Sequence, residues 1–136
     1  MAYSAALLDF KKGKKKVKIH EAGIAANIIA IVNDIAHQNG LEIIHSVEID
    51  IGMFSGVQID ALNFALSALI PQTNLQNTEF IINAIPIVLF CQVCKNKYIA
   101  DIDDLVCPGC NCADFLVMNG KEMIVKSIAG EKPADE

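Results

Sequence analysis

A chain of 136 residues with 53% hydrophobic residues can bury a true core, and its length suits one compact unit with room for a small subdomain. There is no Trp and only 6% aromatic residues, so that core is Ile, Leu, Val and Ala, and no apolar run reaches the roughly 18 residues that cross a bilayer. The net charge of −5 is unevenly spread: six lysines from Lys11 to Lys18 against Asp9 make residues 1–18 +5, leaving −10 on the rest, and the absence of Arg argues against base-reading nucleic-acid contacts.

In chain order, residues 1–18 read as a basic arm, solvated and disordered. A cleaved secretion signal would put its positive charge before the apolar stretch, whereas Ala5–Phe10 precedes the lysines. A soluble, cytoplasmic protein is therefore expected. Ile24, Ile28, Ile31 and Ile35 then recur on one helical face, widened by Val32, and Gly40 provides a left-handed stop. This predicts a helix from about His20 to Asn39. Glu42–Ile51 switches to period two, with His45, Val47, Ile49 and Ile51 on one face and Ser46, Glu48 and Asp50 on the other, the pattern of a half-buried strand. Gly52 and Ser55-Gly56 break it. A second helix from about Gln58 to Ile70 presents Ile59, Leu62, Leu66, Leu69 and Ile70 inward, and Pro71 ends it. Glu79–Ile85 is a β-branched strand, and Pro86 marks a junction. Phe115–Met118 and Glu122–Ile128 are further strands, and Asn119-Gly120 between them is a hairpin-turn signal. Residues from Gly130 to Glu136 form a polar, frayed tail.

The firmest chemistry lies at Cys91-Gln-Val-Cys94 and Cys107-Pro-Gly-Cys110, with twelve residues between the pairs. Each Cys-x-x-Cys knuckle can aim both thiolates at one ion, and two facing knuckles make a sulfur tetrahedron. Zinc suits that set because it has no geometric preference of its own and binds thiolate well. Iron in a rubredoxin-like site uses the same four sulfurs and stays open. Disulfides are disfavoured by a reducing compartment and by this spacing. Cys112 is read as a spectator thiol. A closed four-sulfur site leaves no coordination position for a reacting water, so its task is to hold about 30 residues that are too few to fold by burial alone.

The order of motifs along the chain resembles the HypA/HybF family of hydrogenase nickel-incorporation proteins, from Ile19 to about Ile128. The family's opening Met-His-Glu is matched by Ile19-His20-Glu21. Its strand ending and turn are matched by Ile51-Gly52 and Ser55-Gly56-Val57, and its Leu-x-Phe-Ala helix by Leu62-Asn63-Phe64-Ala65. The four cysteines and a final Gly120-Lys121-Glu122-Met123 complete the pattern. The resemblance implies an α+β fold, two helices on a small mixed or antiparallel sheet, with an inserted zinc ribbon. It divides the chain into the arm (1–18), a nickel-binding α/β part (19–85 and 119–130), the zinc ribbon (86–118) and a tail (131–136).

The resemblance further implies a metallochaperone rather than an enzyme. Its structural cofactor would be Zn(II), and its transient cargo Ni(II) bound for NiFe hydrogenase precursors. A HypB-like GTPase and the hydrogenase large-subunit precursor are the expected partners, with no nucleic acid or membrane, in a monomer or homodimer. The family's nickel ligands are the start-methionine amine, the adjacent imidazole and deprotonated backbone amides, which places candidate nickel residues at His20 and Glu21. Here His20 follows Ile19 and eighteen further residues, so the amine is not adjacent. Either the arm is removed after Lys18, or a substitute donor joins His20, or nickel binding is lost. His20 also reads as a solvent-facing helix start, and Glu21 as a dipole-complementing first-turn acid. His37 fits the cation preference of a helix end. His45 reads as a hydrogen-bonded core or edge residue, and Glu48 and Asp50 as a solvated acidic pair.

Two other classes stay open: a zinc-ribbon interaction protein for nucleic acid or protein that has lost nickel delivery, and an iron–thiolate redox protein.

Overall fold

The computed structural model describes residues 21–133 in full and the backbone of Ala2–Ser4. Helix α1 spans Glu21–Gln38 and buries Ile24, Ala25, Ile28, Ile29, Val32 and Ala36. It stops at Gly40, whose φ of 66° lets the Leu41 N–H turn back onto the Ala36 carbonyl at 2.8 Å. Helix α2 spans Ile59–Leu69 and buries Leu62 and Leu66. Pro71 cannot extend its α-helical ladder, and Ile70–Gln72 tighten into a 3-10 turn.

Among the described residues, seven strands form two sheets. The larger has the order β1 (Ala2–Ser4), β7 (Met123–Glu131), β2 (Ile43–Gly52), β3 (Glu79–Ile85). Its first two pairings are antiparallel, and β2 with β3 is parallel, joined across by α2. The smaller sheet is fully antiparallel, with β4 (Ile87–Cys91) between β5 (Lys97–Ala100) and β6 (Phe115–Asn119). Both helices cover one face of the large sheet, closing a core of helix residues against Val47, Ile49, Ile51, Val125 and Ile128. The opposite face mixes Ile81 and Ile124 with paired polar groups: the Asn83 amide donates to the Asp50 carboxylate at 2.9 Å, and Lys126 lies 3.5 Å from Glu48. The expected fold class, two helices on a mixed sheet with a cysteine-bearing ribbon, is the one observed.

Several local expectations are corrected. Asn119-Gly120 is not a hairpin turn. β6 pairs with β4 and β7 pairs with β2, so these residues carry the chain from one sheet to the other. Gly130 and Glu131 are not a frayed tail, since β7 runs through them opposite Ile44 and Ile43. His45 does not share the buried face of Val47 and Ile49. The register steps from Ile44 opposite Gly130 to Ser46 opposite Ala129, so a bulge takes His45 out of alternation and into solvent. There its Nε2 meets Glu131 Oε2 at 3.0 Å. Within residues 1–18, Ala2–Ser4 add a strand to β7, whose edge groups would otherwise be open. Strands β4 and β5 were not foreseen: Ile87–Phe90 is an unbroken apolar run without alternation, and Lys97–Ala100 is very short. The lysine run Lys11–Lys18 and His20 lie outside the described residues.

Candidate metal centre

The two knuckles are built alike. In the first, β4 delivers Cys91 and the chain turns so that the Lys95 N–H reaches the Cys91 carbonyl at 2.9 Å. In the second, the Asn111 N–H reaches the Cys107 carbonyl at 2.8 Å. Each turn closes on a residue in the left-handed region just after its second cysteine, Lys95 at φ 63° and Asn111 at φ 59°. Asparagine tolerates that conformation well. Lysine does not, and sequence inspection passes over it. The small sheet brings the turns face to face. The Tyr98 hydroxyl donates to the Leu105 carbonyl at 2.7 Å, pinning β5 to the approach of the second knuckle.

The sulfurs of Cys91, Cys94, Cys107 and Cys110 all lie within 4.8 Å of one another. Two cross-knuckle pairs, Cys91 with Cys110 and Cys94 with Cys107, stand at 3.5 Å. Four sulfurs at zinc–thiolate bond length around one centre are spaced by about 3.8 Å. A disulfide needs about 2.05 Å, and none of the five cysteines is in one. The donor set and spacing therefore fit a single tetrahedral, thiophilic cation, and the four form a cluster that could hold one. Cys91 and Cys107 are buried, while Cys94 and Cys110 are half-buried. Cys112 stands outside the four. Its carbonyl accepts the Cys107 N–H at 3.0 Å, so its backbone closes the second knuckle.

The thiols are electrostatically unequal. The Cys94 backbone N–H points at the Cys91 sulfur and, against the effect of burial, lowers that thiol to about 7. Cys94 is raised, first by its sulfur contact with Cys107 and then by Cys91. At Cys110 the Cys112 backbone N–H lowers the pKa, but contact with Cys91 and burial outweigh it and push the thiol up to about 12. Of Cys91, Cys94 and Cys110, Cys91 thus gives up its proton most readily.

The candidate nickel residues are placed unequally. Among the described residues, the only group of three or more possible metal ligands is the four cysteines. Glu21 opens α1 and its carboxylate accepts the Gln58 N–H at 3.1 Å. Gln58 has no side-chain cap of its own, so an acid on one helix caps the other. His37 sits in the last turn of α1.

Residues 19–130 match the family model described as "Hydrogenase/urease nickel incorporation, metallochaperone, hypA". A "Hydrogenase maturation factor HypA" of Chloroflexus aurantiacus is 34% identical over 106 residues, covering 77% of this chain and 93% of that protein. One from Parabacteroides distasonis is 32% identical over 114 residues, covering 84% and 99%. The solution structure of the Ni metallochaperone HypA from Helicobacter pylori superposes with a TM-score of 0.58 at 21% identity, covering 84% of this chain and 99% of that one. That likeness concerns the fold.

Proposed function

This chain belongs to the HypA family, metallochaperones rather than enzymes, and from that premise we propose that it carries Ni(II) to NiFe hydrogenase precursors while a structural Zn(II) holds its ribbon. The observation that carries this reading is a single family match running unbroken from 19 to 130, through the α/β body and the four-cysteine ribbon alike. Zinc is the ion that the four thiolates of Cys91, Cys94, Cys107 and Cys110 suit best, and it supplies a closed, redox-inert crosslink.

The cargo site is assigned to the start of α1. Ni(II) takes nitrogen donors and turns square-planar with strong ones. His20 offers an imidazole, and the peptide nitrogens beside it complete chelate rings. Because Ile19 precedes His20 through a peptide bond, a substitute donor stands where the family has an amine. Glu21, held by the Gln58 N–H, keeps the start of α1 against α2, so its part is to position the site. The body, with α1, α2 and the large sheet, handles cargo, and the ribbon, with the small sheet and the four cysteines, presents it. The partners are a HypB-like GTPase and the hydrogenase large-subunit precursor, in the reducing cytoplasm that free thiols need.

A Ni(II) titration of the full, zinc-loaded chain tests this. Binding of about one nickel is expected, weakened at least about tenfold by His20→Ala. Unchanged binding in that variant places the cargo elsewhere. No binding by the parent chain favours the second reading, a ribbon-bearing interaction protein that has given up nickel, to which the residues preceding the matched region give substance.

A further inference from the structure

Between the body and the ribbon lies a cleft whose lining contains none of the four cysteines. Its larger part, of about 790 Å³, is lined by the segment from Met53 to Gln58, by Ile59 and Asp60 at the start of α2, by Ala84 and, from the ribbon, by Ile102. A second part of about 290 Å³ continues past Met53 and Ile102 to Ile99 and the turn Asp101–Asp104. Its floor is apolar and open: Met53 is 49% exposed, Ile102 52% and Ile99 75%. Large aliphatic side chains this exposed and contiguous mark a contact surface rather than a small-molecule pocket, which buries its lining.

The rim is acidic. Asp60 stands on one bank, and Asp101, Asp103 and Asp104 on the other. Among the described residues the ion pairs are His45 with Glu131 and Lys126 with Glu48, and none of these four carboxylates is paired with another described residue's cation. Lys121 lies over the ring of Phe54, a lining residue, with its Nζ 5.8 Å from the ring centroid. The cleft also opens beside the start of α1, since Gln58 in its wall donates to Glu21.

We propose that this cleft docks a basic, apolar segment of a partner protein, its aliphatic side chains on Met53 and Ile102 and its lysines or arginines on the aspartate rim. A second copy of the body is a poor occupant, because the chain beyond residue 18 carries −10 and repels itself. Docking here puts the partner across both parts of the molecule, and it is independent of whether nickel is bound.

The test uses the full, zinc-loaded chain and a fluorescein-labelled 14-residue peptide of alternating leucine and lysine pairs, read by anisotropy. Binding is expected, falling with added salt. Ile102→Asp should weaken it by about tenfold or more, as should the combined Asp101→Asn, Asp103→Asn, Asp104→Asn variant. Ile102→Asp adds an acid, so tighter or unchanged binding means mere attraction to an acidic surface and overturns the proposal. Asp34→Asn with Glu42→Gln, at the far end of the body, should leave affinity unchanged; a loss as large as at the rim overturns it too. Met53→Ser, expected to weaken binding in the same way, replaces Ile102→Asp if that variant loses zinc. Changing the lysines from Lys11 to Lys18 to Gln should leave affinity unchanged; a rise of about tenfold makes this chain's own arm the occupant and refutes a partner segment.

Discussion

At the sulfurs, charge and proton are shared unequally, and this sets how metal enters. Cys91 at about 7 supplies a thiolate near neutrality, while Cys94 and Cys110 hold their protons until a cation replaces them. Loading therefore releases protons, and zinc affinity should rise with pH and fall in acid. Proton release measured in weakly buffered solution during zinc addition checks this; no release would mean the thiols are already ionised. Cys107→Ser removes a buried ligand and should leave zinc well below one per chain by mass spectrometry with metal analysis. Glu21→Ala removes the acceptor for the Gln58 N–H, and a loss of about 1 kcal/mol in urea unfolding is expected. Glu21→Gln keeps an acceptor oxygen and should lose less. The His45–Glu131 contact is exposed on both sides, and its removal should shift stability by less than about 0.5 kcal/mol.

Among the elements, the passage between the sheets is the tightest spot. Gly52, at the end of β2, donates its N–H to the Glu122 carbonyl at 2.7 Å, and Phe54 donates to the Gly120 carbonyl at 2.7 Å. A Cβ on Gly52 would overlap the Gly120 carbonyl oxygen and come within 2.7 Å of the Glu122 nitrogen. These are backbone atoms that cannot swing aside. Gly52→Ala should therefore destabilise by about 3 kcal/mol, the upper range for overpacking, as read by chemical denaturation. Gly120, at φ 119° and with a would-be Cβ 2.9 Å from Ile87 Cα, is constrained twice over. Its N–H is satisfied by Glu122 Oε1 at 2.6 Å, which explains why an acid stands two residues on. The Gly-x-Glu motif of the sequence is thus a junction between sheets. Local turn chemistry misread it because Asn-Gly suits a hairpin equally well.

For the whole molecule, the two parts rest on different forces. The body closes a largely aliphatic core from α1, β2, α2 and β7, whereas the ribbon buries little beyond Ile87, Leu89, Cys91 and Cys107. Chelating zinc should collapse the ribbon and leave α1 and α2 intact, with most of the helical circular dichroism retained; loss of all helical signal would show that the body depends on the metal. Helix α1, the parity of β2 around Val47–Ile51, strand β3 and the four cysteines were all legible in the sequence. Each rests on short-range periodicity or on ligand spacing, which a linear reading can register. The tertiary structure alone decided which strands pair, that a bulge turns His45 outward, that Glu21 caps the other helix, and that an acid-rimmed cleft forms where body meets ribbon. These depend on groups far apart in the chain coming within hydrogen-bonding or van der Waals reach, and no local pattern encodes such a meeting.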